Sequence, residues 1–132
     1  MVVETPCLLI TDDDRDFRET LREVFEPRGF RTILASDGEQ ALEIVQNEPV
    51  HILLMDMHLP RLTGLETIRR VQAFQASLPW ILVSAALDDS IVAEAMRSHV
   101  FSVLPKPFRC AQITELVGQA MRVTYGWPMI GR

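Results

Sequence analysis

Cysteine, lysine and long apolar runs are what this sequence has least of, and each shortage excludes something. Its two cysteines, Cys7 and Cys110, lie near opposite ends of the 132 residues, with no C-x-x-C and no neighbouring His pair. That rules out a disulfide framework or a zinc ribbon, and both are expected to be buried free thiols in a reducing compartment. No stretch approaches the length needed to cross a bilayer, and Met1 to Pro6 has neither a basic n-region nor an apolar h-region, so the expected location is cytoplasmic, without membrane contact. Lysine and arginine form no cluster and the formal net charge is −5, which argues against a nucleic-acid surface, since neutralising phosphates takes concentrated positive charge. Repeats, linkers and low-complexity segments are also missing. With 48% hydrophobic and 23% charged residues, the sequence is expected to form a single domain with one sizeable core.

What is present is a strict alternation. Short apolar runs at Cys7 to Ile10, Phe30 to Ala35, Val50 to Met55, Trp80 to Val83 and Ser102 to Leu104 alternate with helical patterns. The first helix, with Phe17, Leu21, Val24 and Phe25 on one face, stops at Pro27 and Gly29. Asp37 and Gly38 open the second, and Leu65 to Phe74 gives the third. Asp88 and Asp89 cap the fourth, which runs to about Arg97, and the last runs from Phe108 or Arg109 to about Val123. Five β-α units in a row imply an α/β fold, a doubly wound five-stranded parallel sheet with helices on both faces.

In such a sheet the ligand crevice lies at the carboxyl ends of the strands. Those ends carry Asp12-Asp13-Asp14, then Asp56 before a loop containing Pro60 and Gly64, then Ser84-Ala85, then Lys106-Pro107. Clustered carboxylates repel unless a cation compensates, and hard oxygen donors suit Mg²⁺ with phosphate oxygens as partners. The set reads as a phosphoryl-transfer site, with Asp56 as the candidate nucleophile. Of 13 basic residues Lys106 is the only lysine, as though a compact point charge were needed there in place of a planar fork. Asp14, entering the helix, is read as its N-cap and left out of the site.

These residues, with the segment Leu53-Leu54-Met55-Asp56-Met57-His58-Leu59-Pro60, Val83-Ser84-Ala85 and Lys106-Pro107-Phe108, resemble the response-regulator receiver domains of two-component signalling, over Cys7 to about Val123. The resemblance implies a flavodoxin-like strand order 2-1-3-4-5 and a domain that catalyses only its own phosphorylation and dephosphorylation. It also implies that Asp56 accepts a phosphoryl group from a histidine kinase or phosphotransfer protein. Asp13 and Asp56 would then hold Mg²⁺ directly, Asp12 through water, and His58 through its main-chain carbonyl, its imidazole facing solvent as a bystander. Ser84, Ala85 and Lys106 would contact the phosphoryl group, and the bond before Pro107 would be cis. An unnamed downstream protein would read the signal, and the face made by helix four, strand five and helix five would serve a homodimer.

Some positions depart from that pattern. His99 stands where the family places glycine, which suggests a loosely closed fourth helix. Val103 replaces the usual aromatic switch residue, so the relay is expected to pass through the loop containing Ala86 and the helix end at His99, with Phe101 a possible substitute on the same face as Val103. Two other readings are weighed: a receiver-like binding module independent of phosphorylation, and an aspartate-nucleophile phosphohydrolase, which wants an acid two residues after the nucleophile, where His58 stands. The domain is placed at 1–124 and a short tail at 125–132, with no output domain. The apolar tail residues Trp127, Met129 and Ile130 are expected to pack back or form a contact patch.

Overall fold

The first strand, β1 (Cys7–Thr11), is buried along its whole length and lies second from one edge of a parallel sheet ordered β2-β1-β3-β4-β5. The other strands are β2 (Arg31–Ala35), β3 (Ile52–Asp56), β4 (Trp80–Ser84) and β5 (Ser102–Pro105), and the expected order 2-1-3-4-5 is the observed one. A computed structural model describes residues 5–127. Between the strands run α1 (Arg15–Phe25), α2 (Gly38–Asn47), α3 (Gly64–Gln72), α4 (Asp89–Arg97) and α5 (Cys110–Tyr125), and a short 3-10 turn, Glu26–Arg28, follows α1.

Successive strand residues point to opposite faces, so the unbroken apolar runs feed two cores. Leu9, Leu53, Met55 and Leu82 meet Ala41 and Val45 of α2, Ile68 and Val71 of α3, and Ala95 of α4. Leu8, Ile10, Leu54 and Val83 meet Leu21 and Phe25 of α1 and Ile113, Val117 and Met121 of α5. Helices therefore cover both faces, which leaves the carboxyl edge of the sheet as the open end.

The helix starts follow the sequence signals. Asp14, Asp37 and Asp88 each cap a helix with a side-chain oxygen, and Thr63 with Glu66 forms a reciprocal capping box on α3. Asp89 sits in the first turn of α4, one step inside the cap.

Several expectations need correcting. The end of α4 is firmly closed: with His99 at φ 61°, its N–H donates to the Met96 carbonyl (3.1 Å) and that of Val100 to the Ala95 carbonyl (3.4 Å). That is a Schellman motif with histidine in glycine's place, and Gln72 Nε2 also donates to the Ser98 carbonyl at 2.6 Å. Phe101 packs with the α1–α5 core while Val103 packs with the α2–α3–α4 core, so the two do not share a face. Cys110, the first residue of α5, is exposed; only Cys7 is buried. Helix α5 reaches Tyr125, whose hydroxyl donates to the His51 carbonyl (2.8 Å), and Trp127 stacks edge-on against Phe30. That part of the chain packs back as expected; Met129 and Ile130 lie outside the described residues.

Two positions allow tests of this packing. A Cβ at Gly64 would come within 2.6 Å of the Asp56 carbonyl and 3.0 Å of Met57 Cα, both backbone atoms that cannot step aside. Gly64→Ala is expected to lower unfolding free energy by about 1–3 kcal/mol, as overpacking does, measured by urea titration. At the other end of the sheet, His51 Nδ1 accepts the Cys7 N–H at 2.9 Å, a role that needs the neutral ring, and burial lowers its pKa from the usual 6.5. The unfolded chain then takes up this proton first, so His51 costs nothing above pH 6.5 and lowers stability as pH falls below it, by less than about 1.4 kcal/mol per pH unit. His51→Asn keeps an acceptor that does not titrate. Urea unfolding at two pH values on either side of that point should show the wild type losing more stability than the variant.

Candidate functional site

The backbone ladder continues past the strand ends and fixes the groups that meet there. Asp12 N–H donates to the Ala35 carbonyl (3.1 Å), Met57 N–H to Val83 (2.8 Å) and Lys106 N–H to Ser84 (2.8 Å). Asp12, Asp56 and Ser84 are thereby held at the sheet's carboxyl edge with 1%, 5% and 0% of their surfaces exposed. Asp13 is exposed at the mouth. One carboxylate oxygen from each of Asp12, Asp13 and Asp56 lies within 4.8 Å of the others, a group that could hold a metal ion.

The cation that faces them is Lys106, next to a cis peptide bond to Pro107. Its Nζ is 2.6 Å from Asp12 Oδ2 and 3.7 Å from Asp56 Oδ2, and it sits 4.4 Å above the centre of the Phe17 ring. Phe108 meets Phe17 edge-to-face at 5.8 Å, completing an apolar wall beside the ammonium. One ammonium among three carboxylates leaves excess negative charge. Burial, with Asp56 nearby, pushes the Asp12 carboxyl above its usual range, while the Lys106 ammonium and the Asp14 N–H (2.9 Å) pull it back without fully offsetting the burial. Such a surplus on hard oxygen donors fits a small divalent cation such as Mg²⁺. Asp14 takes no part: its carboxylate accepts the Asp16 and Phe17 N–H groups as the cap of α1.

The loop after β3 brings in a group misjudged from the sequence. His58 N–H donates to Asp56 Oδ1 at 3.2 Å, which turns the chain back over the strand end. Its imidazole is no bystander: Nε2 lies 2.8 Å from Ser84 Oγ, across the site. Ala86 N–H donates to the same oxygen at 3.0 Å, tying the β4–α4 loop to it. Ala85 is exposed and, with Phe17, Leu21, Lys106 and Phe108, lines a cavity of about 440 Å³ next to the carboxylates. Two further neighbours had no distinctive sequence signal. Phe17 lies under Lys106, and Arg18 Nη1 donates to the Asp12 carbonyl at 2.7 Å; both look like ordinary residues of an amphipathic helix. Of the residues expected in a switch region, Val103 packs with the α2–α3–α4 core and His99 closes α4.

The family model described as "Response regulator receiver domain" matches residues 8–118. The chain is 32% identical over 117 residues to the response regulator MprA of Mycobacterium leprae, covering 89% of this chain and 51% of that protein. It therefore spans about half the length of that curated relative. It is also 31% identical over 110 residues to the sporulation initiation phosphotransferase F of Bacillus subtilis, covering 83% of this chain and 89% of that protein. A solved response regulator receiver protein from Pseudomonas putida superposes with a TM-score of 0.84 at 28% identity, over 89% of this chain and 99% of that one. With most of its length matched by the family model and its open sheet edge built as described, the chain belongs to the response regulator receiver domains of two-component signalling.

Proposed function

We propose that Asp56 is the phospho-acceptor of this receiver domain, taking a phosphoryl group from a histidine kinase or phosphotransfer protein. The observation that supports this most is the convergence of Asp12, Asp13 and Asp56 oxygens within 4.8 Å, with Lys106 as the ammonium facing them. A partner's phosphohistidine would enter over the 440 Å³ cavity. An Asp56 carboxylate oxygen attacks phosphorus, the P–N bond breaks, and the imidazole leaves with its electron pair, giving an acyl phosphate. Asp56 Oδ1 is already oriented by the His58 N–H, and Lys106, 3.7 Å from Oδ2, stands where it reaches an oxygen of the arriving group. The Ser84 hydroxyl would donate to another oxygen, and Ala85 lies at the same rim.

Asp13, Asp56 and the His58 main-chain carbonyl would hold Mg²⁺ directly and Asp12 through water. When bound, the ion supplies neutralisation of the charge that spreads over the transferring oxygens. The domain's own residues then govern phosphorylation and hydrolysis at Asp56, and its output is a changed binding surface for a downstream protein. A homodimer would use the α4, β5 and α5 face, where Val92, Met96 and Val123 are exposed apolar residues. The family match favours this reading over a phosphorylation-independent binding module and over a phosphohydrolase.

Two measurements test these assignments. Incubation with acetyl phosphate and Mg²⁺ is expected to add one phosphoryl group by intact mass, and Asp56→Asn to add none; equal labelling of the variant would move the acceptor elsewhere. In a Mg²⁺ titration, Asp13→Ala is expected to weaken binding by about tenfold or more, a loss of at least about 1.4 kcal/mol. Asp14→Ala should leave Mg²⁺ binding nearly unchanged while costing about 1 kcal/mol of stability through the lost helix cap. Equal losses of affinity would mean the wrong pair was chosen from the acidic triplet.

A further inference from the structure

Ser84 is fully buried, and its hydrogen bonds can be counted. A hydroxyl has one hydrogen to give and two lone pairs to receive. The Ala86 N–H fills one lone pair at 3.0 Å. Among the described residues the only other partner is His58 Nε2, at 2.8 Å. If Nε2 carried a proton and donated, the Ser84 hydrogen would be left in the interior without an acceptor, at a cost comparable to a lost hydrogen bond. The arrangement that satisfies both groups has the Ser84 hydroxyl donating to Nε2, with the neutral ring's proton on Nδ1. The one donor that Ser84 possesses is then directed at His58, away from Asp56.

We infer that His58 is a positioning residue that competes with the phosphoryl group for the Ser84 hydroxyl, so that occupation of Asp56 must displace the imidazole. The inference rests on the phospho-acceptor reading above. Ser84 cannot serve both, since its hydroxyl has a single hydrogen and its backbone is fixed in an inner strand, the carbonyl held by the Lys106 N–H at 2.8 Å. The imidazole can move, because His58 is exposed on a loop with open solvent on one side. Free protein and phosphorylated protein thus differ in which acceptor holds one hydrogen, and His58 stabilises the free form. Removing its acceptor should favour every state in which Ser84 donates to a phosphoryl oxygen.

The test is the affinity for beryllofluoride in Mg²⁺, a stable mimic of the phosphoryl group, in the full chain. His58→Ala and His58→Phe should both bind it more tightly, by roughly two- to tenfold, the equivalent of one net hydrogen bond. The phenylalanine variant keeps the ring's bulk and lacks its acceptor, so tight binding by alanine alone would show a steric effect and overturn the inference. In a Ser84→Ala background, itself weaker in binding, removing His58 should no longer change affinity; an undiminished gain there would also overturn it. Ring nitrogen NMR of the wild-type protein is independent of these variants. It should show the Nδ1-protonated tautomer in the free protein and loss of the Nε2 acceptor shift when beryllofluoride is added, whereas the opposite tautomer, or no change on addition, would refute the competition. Should the wild-type protein neither bind beryllofluoride nor label at Asp56, the failure would belong to the phospho-acceptor reading, and the tautomer in the free protein would still decide the Ser84 to His58 hydrogen bond.

Discussion

Three carboxylates share the open end of this sheet with a single ammonium, and most of the local structure follows from keeping that charge tolerable. Asp12 is the costly member, because it is almost fully buried and its carboxyl is pushed toward the neutral form. Lys106 at 2.6 Å and the Asp14 N–H act against that push. Removing one partner of such a pair would strand a buried charge, which is far worse than never having had it. The ammonium in turn is steadied by the Phe17 face and bordered by Phe108. A compact ammonium reaches Asp12, Asp56 and the Phe17 face at once, which suits the one lysine in a chain otherwise built with arginine.

Close backbone approach is the second constraint. The start of α3 lies so near the end of β3 that Gly64 has no room for a Cβ, and its N–H donates to the Met57 carbonyl at 3.1 Å. That contact, with the His58 N–H on Asp56, sets the path of the β3–α3 loop and brings the His58 ring back over Ser84. Asp37 and Glu39 pair with Arg61 in the same loop, Arg61 holding a left-handed φ of 65°. Loop geometry here thus combines contacts within the loop with others, His58 to Ser84 and Arg61 to Asp37, between residues far apart in sequence.

That difference explains what could be read in advance. The five strands, the two-faced core and the meeting of Asp12, Asp13, Asp56, Ser84 and Lys106 were legible because each depends on apolar period and on position at a strand end, both local properties, whereas the strand order came only from the family resemblance. The direction of the His58 ring was not, since a loop side chain points where tertiary contacts send it. His99 was read through the cost of a left-handed histidine alone. The two Schellman hydrogen bonds and the Gln72 contact from α3 that outweigh this cost are only partly local. Phe101 was assigned by strand alternation, but it precedes β5, whose first residue is Ser102, so the period of two does not yet apply to it. Cys110 was expected to be buried because no pairing motif accompanies it, whereas its place at the first turn of α5, beside the cavity, exposes it.

The same contacts bear on how a change at the site would spread. Val103 lies in the α2–α3–α4 core with a stiff branched side chain, and Phe101 lies in the other core, so neither offers a ring that can swing beside Ser84. The end of α4 is closed by hydrogen bonds at His99, Val100 and Ser98. The side-chain hydrogen bonds of Ser84 run elsewhere, to His58 on the β3–α3 loop and to Ala86 on the β4–α4 loop. A ligand shifts a protein between states only through contacts that differ between them, and these two are the contacts that a newly engaged Ser84 would alter. On the proposed acceptor role of Asp56, the β3–α3 and β4–α4 loops would respond first, through His58 and Ala86.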